Sequence, residues 1–425
     1  MANYIMKNNI DYIVKDNEVK LIDINTGRIA EGRRFNKGLH QAIEAKENKE
    51  IKPESATLGS ITYQRLFTLY KDFAGMTGTI MSEKQELKEI YNKKPKYIPT
   101  NKPIIRKDNK DLFFKDNETR DKFLLKIVKE NNQRQRPILI GTESIIESER
   151  IAKLFDKNHL NFNLLNAKND KNEAEIVTQA GEKGSVTIAT NMAGRGTDIK
   201  LGEGVRELGG LLIIGIGHYN FIRIDNQLRG RSGRQGDPGE TIFLVSLEDT
   251  LVKTLVGENI FSSLLDSLTE GEEEGISNRG LENAVKRAQN TYNTIHFNAR
   301  KQTTDYDNIL SIYRNMFYED RMKILKEQND EKLINYFNKD GIDINNIQEL
   351  LKKEAPGRLK QYILNIMDIN WMNFLDISED LKSESSYNSY SGTKAIVLYE
   401  NEMATAYNDM LRNIILTINN EFKKA

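Results

Sequence analysis

The chain has 425 residues, no cysteine, and 62 basic against 62 acidic side chains, so its formal net charge is zero. The length allows two to four domains with sizeable cores. The missing thiols exclude disulfides and cysteine zinc sites, and the charge balance argues against a protein that coats nucleic acid, which carries a basic excess.

The N-terminus is polar and acid-containing, unlike a signal peptide, and no run of about 18 apolar residues predicts a transmembrane helix; a cytoplasmic protein is expected. Residues 1–30 read as two short strands, Tyr12–Val14 and Val19–Asp23, with a turn at Asp16-Asn17. GLHQAIEAKE at 38–47 predicts an amphipathic helix, and a second helical run extends from Ile61 to about Phe73. AGMTGT at 74–79 breaks that run, and the proline-containing IPTNKPIIRKD at 98–108 suits an extended connection.

From about residue 110 short apolar strands alternate with helices. The predicted order is helix 116–132, strand 138–140, helix 143–157, strand 162–165, helix 170–180, strands 186–189 and 210–214, helix 219–232 and strand 241–246. This alternation predicts an α/β domain with a parallel sheet and right-handed crossovers. Beyond Leu247 the pattern is helical. The acidic stretch Glu270–Glu274 reads as a solvated linker, followed by one long helix from Ser277 to about Glu327 with apolar positions at 281, 285, 288, 292 and 295. Shorter helices fill 328–356, and helices 358–382, with Trp371, and about 394–423 flank a polar loop.

Two segments carry the chemistry. VTIATNMAGRGTDI at 186–199 runs from a buried strand into a loop with Gly194, Arg195 and Gly196, ending at Asp198. Glycines let backbone approach a ligand closely, and the C-terminal end of a parallel strand is where such sheets place ligands. QLRGRSGR at 227–234 falls within the predicted helix, so the spacing projects Gln227, Arg231 and Arg234 from one face. Paired guanidiniums there can offset charge developing on a transferred γ-phosphoryl group, because the planar fork takes two phosphate oxygens at once. The four histidines, at 40, 159, 218 and 296, show no ligand spacing, so no metal role is expected for them.

These segments match motifs V and VI of superfamily-two helicases and translocases. TNMAGRGTDI, QLRGRSGRQGD, GLHQAIEAKE, AGMTGT and PTNKPIIRKD resemble the SecA preprotein translocase ATPases, in the SecA order. The resemblance implies a RecA-like second motor domain at 98–250, followed by an all-α scaffold. It assigns 1–33 to the end of the preprotein cross-linking domain and 34–97 to the last piece of the first nucleotide-binding domain. It makes 277–327 the long scaffold helix, 328–357 a reduced helical wing and 358–425 a two-helix finger. By the same resemblance Arg231 and Arg234 are arginine fingers, and Asp198, Arg195, Gly196 and Gln227 bind nucleotide. ATP and Mg2+ are the implied cofactors. The SecY channel, preprotein and an anionic membrane surface are the implied partners, with a homodimer as one arrangement, no nucleic acid, and a peripheral position on the cytoplasmic face of the plasma membrane.

The sequence also departs from that pattern. It contains no GxxxxGK[ST] loop and no DEAD-like strand. The chain therefore reads as incomplete for hydrolysis, a fragment or a split gene product whose phosphate-binding half lies upstream. Short crossings at 202–209 and 328–357 point to an accessory type. A non-enzymatic module that binds preprotein or SecY, and a nucleic-acid helicase fragment, are the competing readings.

Overall fold

The computed structural model describes residues 1–8, 10–22, 29–30, 32–35, 38–53, 59–165, 173–190, 197–255, 274–327, 358–388 and 394–424. The chain divides into two compact units. One comprises Met1–Glu54, Gly75–Lys88 and Lys93–Phe297; the other comprises Ser55–Ala74, Glu89–Asn92 and Asn298–Ala425.

In the first unit, strands β1 (Tyr12–Lys15) and β2 (Glu18–Leu21) form an antiparallel hairpin. Its two turn residues, Asp16 and Asn17, have φ of 54° and 65°. Such left-handed pairs favour Asn and Asp and match the twist of the flanking strands. Tyr12, fully buried, packs with Val19 and with Ile43 of helix α1 (Leu39–Lys46).

The main sheet has seven strands among the described residues, and all its pairings are parallel. Its members are β3 (Lys107–Asp108), β4 (Leu112–Phe114), β5 (Ile138–Thr142), β6 (Asn163–Leu165), β7 (Val186–Thr190), β8 (Leu211–Ile216) and β9 (Gly239–Ser246). The order is β6-β7-β5-β8-β9, with β3 and β4 both pairing β9. Every residue of β5, β7 and β8 is buried, as expected for parallel strands covered on both faces. Alternate residues feed two cores. Ile138, Ile140, Ile188 and Ile214 pack with Leu124 of α4 (Asn117–Gln133) and Ile151 of α5 (Ile145–Lys157). Leu139, Ala189, Ile213 and Phe243 pack with Val177 of α6 (Glu173–Gln179), Leu228 of α7 (Ile222–Arg229) and Leu251 of α8 (Thr250–Leu255). Side-chain caps start both α4 and α5. Asp116 accepts from the Thr119 N–H at 2.8 Å and Ser144 from the Glu147 N–H at 3.1 Å.

The long helix is α9 (Arg279–Lys326), 48 residues. Its first turns belong to the sheet unit, where Leu281, Val285 and Ala288 close the second core. The predicted stripe ends there, since Tyr292 is half-buried and Ile295 exposed.

Residues from Asn298 onward belong to the helical unit, with α10 (Arg358–Asn388) and α11 (Ala395–Lys424). Phe317 of α9 stacks on Trp371 of α10 at 4.6 Å between ring centroids, and Arg321 pairs both oxygens of Asp368 at 2.7 and 2.8 Å. Tyr306 meets Ser385 and Tyr399. These contacts run α9 antiparallel to α10. Tyr399, expected either to touch substrate or to pack, is buried. Tyr387 is exposed, and Tyr390 lies outside the described residues.

The segment 34–97, expected as one piece, is shared between the two units. Thr62 donates to Asp307 at 2.7 Å in the helical unit, whereas Thr79 accepts from Gln227 at 3.4 Å in the sheet unit. Helices α2 (Tyr63–Thr68) and α3 (Lys84–Tyr91) also lie within this stretch. The expected wing, 328–357, lies outside the described residues, as does most of the expected acidic linker; of the polar loop expected at 383–393, residues 383–388 instead continue α10 to Asn388, and the rest lies outside the described residues. Among the described residues no helix is long and apolar enough to cross a membrane.

Candidate functional site

At the C-terminal edge of the sheet a cavity of about 580 Å³ opens beside β7 and α7. Ligand pockets commonly measure about 300–1,000 Å³. Its polar lining includes Thr77, Thr79, Asp198, Gln227, Arg231 and Arg234. Four of the six predicted site residues therefore converge on one space. The other two, Arg195 and Gly196, lie outside the described residues.

The means of convergence differs from the expectation. The predicted helix 219–232 is shorter: α7 ends at Arg229, with Gly230 as its cap. Gln227, Arg231 and Arg234 thus do not share a helical ridge. Gly233 turns left-handed, at φ 72°, and Arg234 opens a single 3-10 turn. Two glycines within four residues stop the helix, and the loop then folds back so that both arginines reach the cavity. The loop is tied down from behind. Arg106 donates from Nη1 to the Arg229 and Ser232 carbonyls at 3.0 and 3.1 Å, and Ser232 Oγ donates to the Leu211 carbonyl at 2.7 Å.

A Cβ at Gly233 would stand 2.5 Å from Arg106 Cβ, and the left-handed backbone would strain any L side chain there. Gly233→Ala is expected to destabilise the sheet unit by about 1–2 kcal/mol. A denaturant titration of the two proteins checks this, and equal midpoints would refute it.

Within the cavity, Arg231 Nη1 donates to the Thr197 carbonyl at 3.3 Å. Arg234 donates to the Gly230 carbonyl at 2.8 Å and pairs Asp198 at 2.6 Å. Both partners of that ion pair are more than a third exposed, so it contributes at most about 1 kcal/mol and can yield to an anion. The cations, the Gln227 amide and the threonine hydroxyls suit a phosphate-bearing ligand. The Mg2+ implied by the resemblance is one shared with the first nucleotide-binding domain, so its ligands need not all come from this cavity. Among the described residues no group of three or more His, Asp or Glu side chains could hold a metal ion.

Behind α7 lies a buried polar network that the sequence reading missed. His218, at the end of β8, directs Nδ1 at Asp225 Oδ2 (2.7 Å) and Nε2 at Asp111 Oδ2 (2.9 Å). Its ring stacks on Phe243 at 4.5 Å. Burial opposes a charged imidazole here, but the Asp225 and Asp111 carboxylates outweigh it and push His218 up to about 9. Burial likewise opposes charge on Asp111, yet His218 and Arg229 hold its carboxyl below the usual range. Gln289 of α9 donates to Asp225 Oδ2 and to the Tyr219 carbonyl, both at 2.7 Å. The signal was present in polar residues that directly follow the strand end at 216, a position where ligands and their supports gather.

Comparison with known proteins bears on this arrangement. The SecA P-loop domain model matches residues 103–207 and 203–273, the SecA preprotein cross-linking domain model matches 1–44, and the SecA wing and scaffold domain model matches 275–357. The first match falls largely on the parallel sheet, although the chain holds no GxxxxGK[ST] string. The protein translocase subunit SecA of Thermosipho melanesiensis is 38% identical over 470 residues, covering 98% of this chain and 55% of that protein. That of Halothermothrix orenii is 40% identical over 471 residues, with 97% and 56% covered. That of Nitratiruptor sp. is 47% identical over 329 residues, with 77% and 38% covered. The chain thus spans about half the length of the curated relatives it matches. The first two alignments extend over more positions than this chain has residues, so it is the shorter partner within the matched stretch.

Proposed function

This chain belongs to the SecA family, and on that premise we propose that it forms part of an ATP-driven motor that pushes preproteins through the SecY channel. The observation that carries the proposal is the meeting of Arg231, Arg234, Gln227 and Asp198 on one cavity at the C-terminal edge of a parallel sheet. Arg231 and Arg234 offset charge on the γ-phosphate of an ATP whose triphosphate is held chiefly by a P-loop segment. Gln227, and Asp198 with Arg195 and Gly196 of its own motif, contact the nucleotide. Mg2+ would enter with the phosphates.

In this reading the cavity favours the triphosphate over the diphosphate, and that differential affinity is the energy source for a conformational change. Helix α9 transmits the change, and helices α10 and α11 act as the finger that meets preprotein. The match of residues 1–44 to a preprotein cross-linking domain supports preprotein as the substrate. SecY and an anionic membrane surface are the proposed docking partners.

The test compares Mg-ATP turnover by the 425-residue chain alone with turnover by the chain joined to a P-loop segment. The chain alone is expected to bind Mg-ATP weakly, because P-loop amides and lysine supply most phosphate affinity. Joined, it should hydrolyse ATP, and faster with preprotein and SecY-containing membranes. A second reading, a non-enzymatic preprotein-binding module, is favoured by the absence of GxxxxGK[ST] from the chain. Preprotein binding without turnover in the joined protein would establish it instead.

A further inference from the structure

The oxygens of Asp225 tie α7 to α9 by hydrogen bonds, beside the ring contacts by which Phe221, the N-cap of α7, meets Tyr292 and His296 at 5.2 and 5.5 Å. Its Oδ2 faces His218 and accepts from the Gln289 amide, while Oδ1 accepts from the Tyr219 N–H at 3.0 Å. Asp225 lies on α7 and is 1% exposed; Gln289 lies on α9 and is 3% exposed. A buried carboxylate that loses a donor is left partly unsatisfied, so each of these bonds restrains the element that carries the donor. Gln289 is absent from the described lining of the arginine cavity and is joined to it through Asp225 of α7 and the Tyr219 carbonyl just before that helix. Two residues beyond Asp225 on that helix stands Gln227, and α7 then hands directly into the loop with Arg231 and Arg234.

We propose that Gln289 is a positioning residue whose amide keeps α7, and with it Gln227 and the arginine loop, in register with the first turns of the long helix α9. A shift of those turns must then either carry α7 with it or break the bonds to Asp225 and the Tyr219 carbonyl. This couples the geometry of the cavity to α9 without any direct contact between them. The inference rests on the nucleotide reading of the cavity for its consequence. Its test needs neither nucleotide nor preprotein, so the two can fail separately.

The test is amide hydrogen exchange on the full chain bearing Gln289→Met or Gln289→Lys. Methionine keeps the volume and removes the donor; lysine keeps a donor that reaches Asp225. In Gln289→Met, the amides of 222–229 are expected to exchange about tenfold faster, with those of 138–142 unchanged, the scale of one lost hydrogen bond to a charged group. Gln289→Lys should restore wild-type protection. Unchanged protection in the methionine variant, or equal loss in both variants, would overturn the proposal, because packing alone would then explain the residue. If the methionine variant does not fold, His218→Gln supplies the reading from the other side. Faster exchange at both 222–229 and 285–293 supports the coupling, and release confined to 222–229 contradicts it.

Discussion

Replacing Arg231 by alanine in the protein completed with a P-loop segment is expected to lower ATP hydrolysis about a thousandfold while leaving nucleotide binding largely intact. That factor corresponds to about 4 kcal/mol of transition-state stabilisation. The physical reason lies in where the guanidinium stands. It lines the cavity from a loop held by Arg106 and Ser232, so little reorganisation is required as charge develops on the phosphoryl oxygens. Most ground-state affinity comes from elsewhere, so kcat should carry the larger part of the loss, with ADP affinity unchanged and only the γ-phosphate share of the triphosphate Kd weakened. Steady-state turnover and equilibrium nucleotide binding on the same preparations check this. Unchanged turnover would remove the role from Arg231.

The stability of the sheet unit is expected to fall at alkaline pH through one group. His218 titrates near 6.5 when unfolded and is pushed up to about 9 in the fold by its two carboxylates. A raised pKa contributes stability that is fully present below the unfolded value and is lost as pH rises through the folded one. The contribution is about 3 kcal/mol, present at pH 6 and gone above about pH 10. Amide exchange at β8, corrected for intrinsic rates, measures it. Wild type should lose this increment between those limits, and His218→Gln should lack that part of the slope. Parallel pH profiles for the two proteins would show that the imidazole is not held charged.

The strands that defined the fold were legible because they are wholly buried. Ile138–Ile140 and Leu211–Ile214 are continuous apolar runs and Val186–Ala189 is apolar but for Thr187; all are bounded by loops, and helices of ordinary length separate most of them. The caps at Asp116 and Ser144 stand where the helices begin. Strands β3 and β4 escaped notice because they have two and three residues and take their place by pairing β9 far along the chain, a tertiary fact with no periodicity to announce it. Helix α7 was drawn too long because the arginines and glutamine are good helix formers, and the stop signal is conformational: Gly233 turns left-handed to let Arg106 pack beneath it.

The candidate site was legible in its residue types and their order, less so in its support. Gln227, Arg231, Arg234 and Asp198 meet, but through a folded loop rather than a helical face. His218 was considered only as a metal ligand. Its partners stand 107 residues before it and 7 residues after it, and the carboxylate beyond also binds a glutamine 64 residues further along. No short-range pattern encodes such a network.

Nucleotide discrimination decides whether the two arginines on this cavity read a phosphate delivered by another segment. The measurement is the ratio of Kd for ADP to Kd for a non-hydrolysable ATP analogue, in the completed protein and in its Arg231→Ala, Arg234→Ala double variant. Wild type is expected to prefer the triphosphate, and the double variant to lose this preference while ADP affinity stays the same. An unchanged ratio would contradict that role for the arginines.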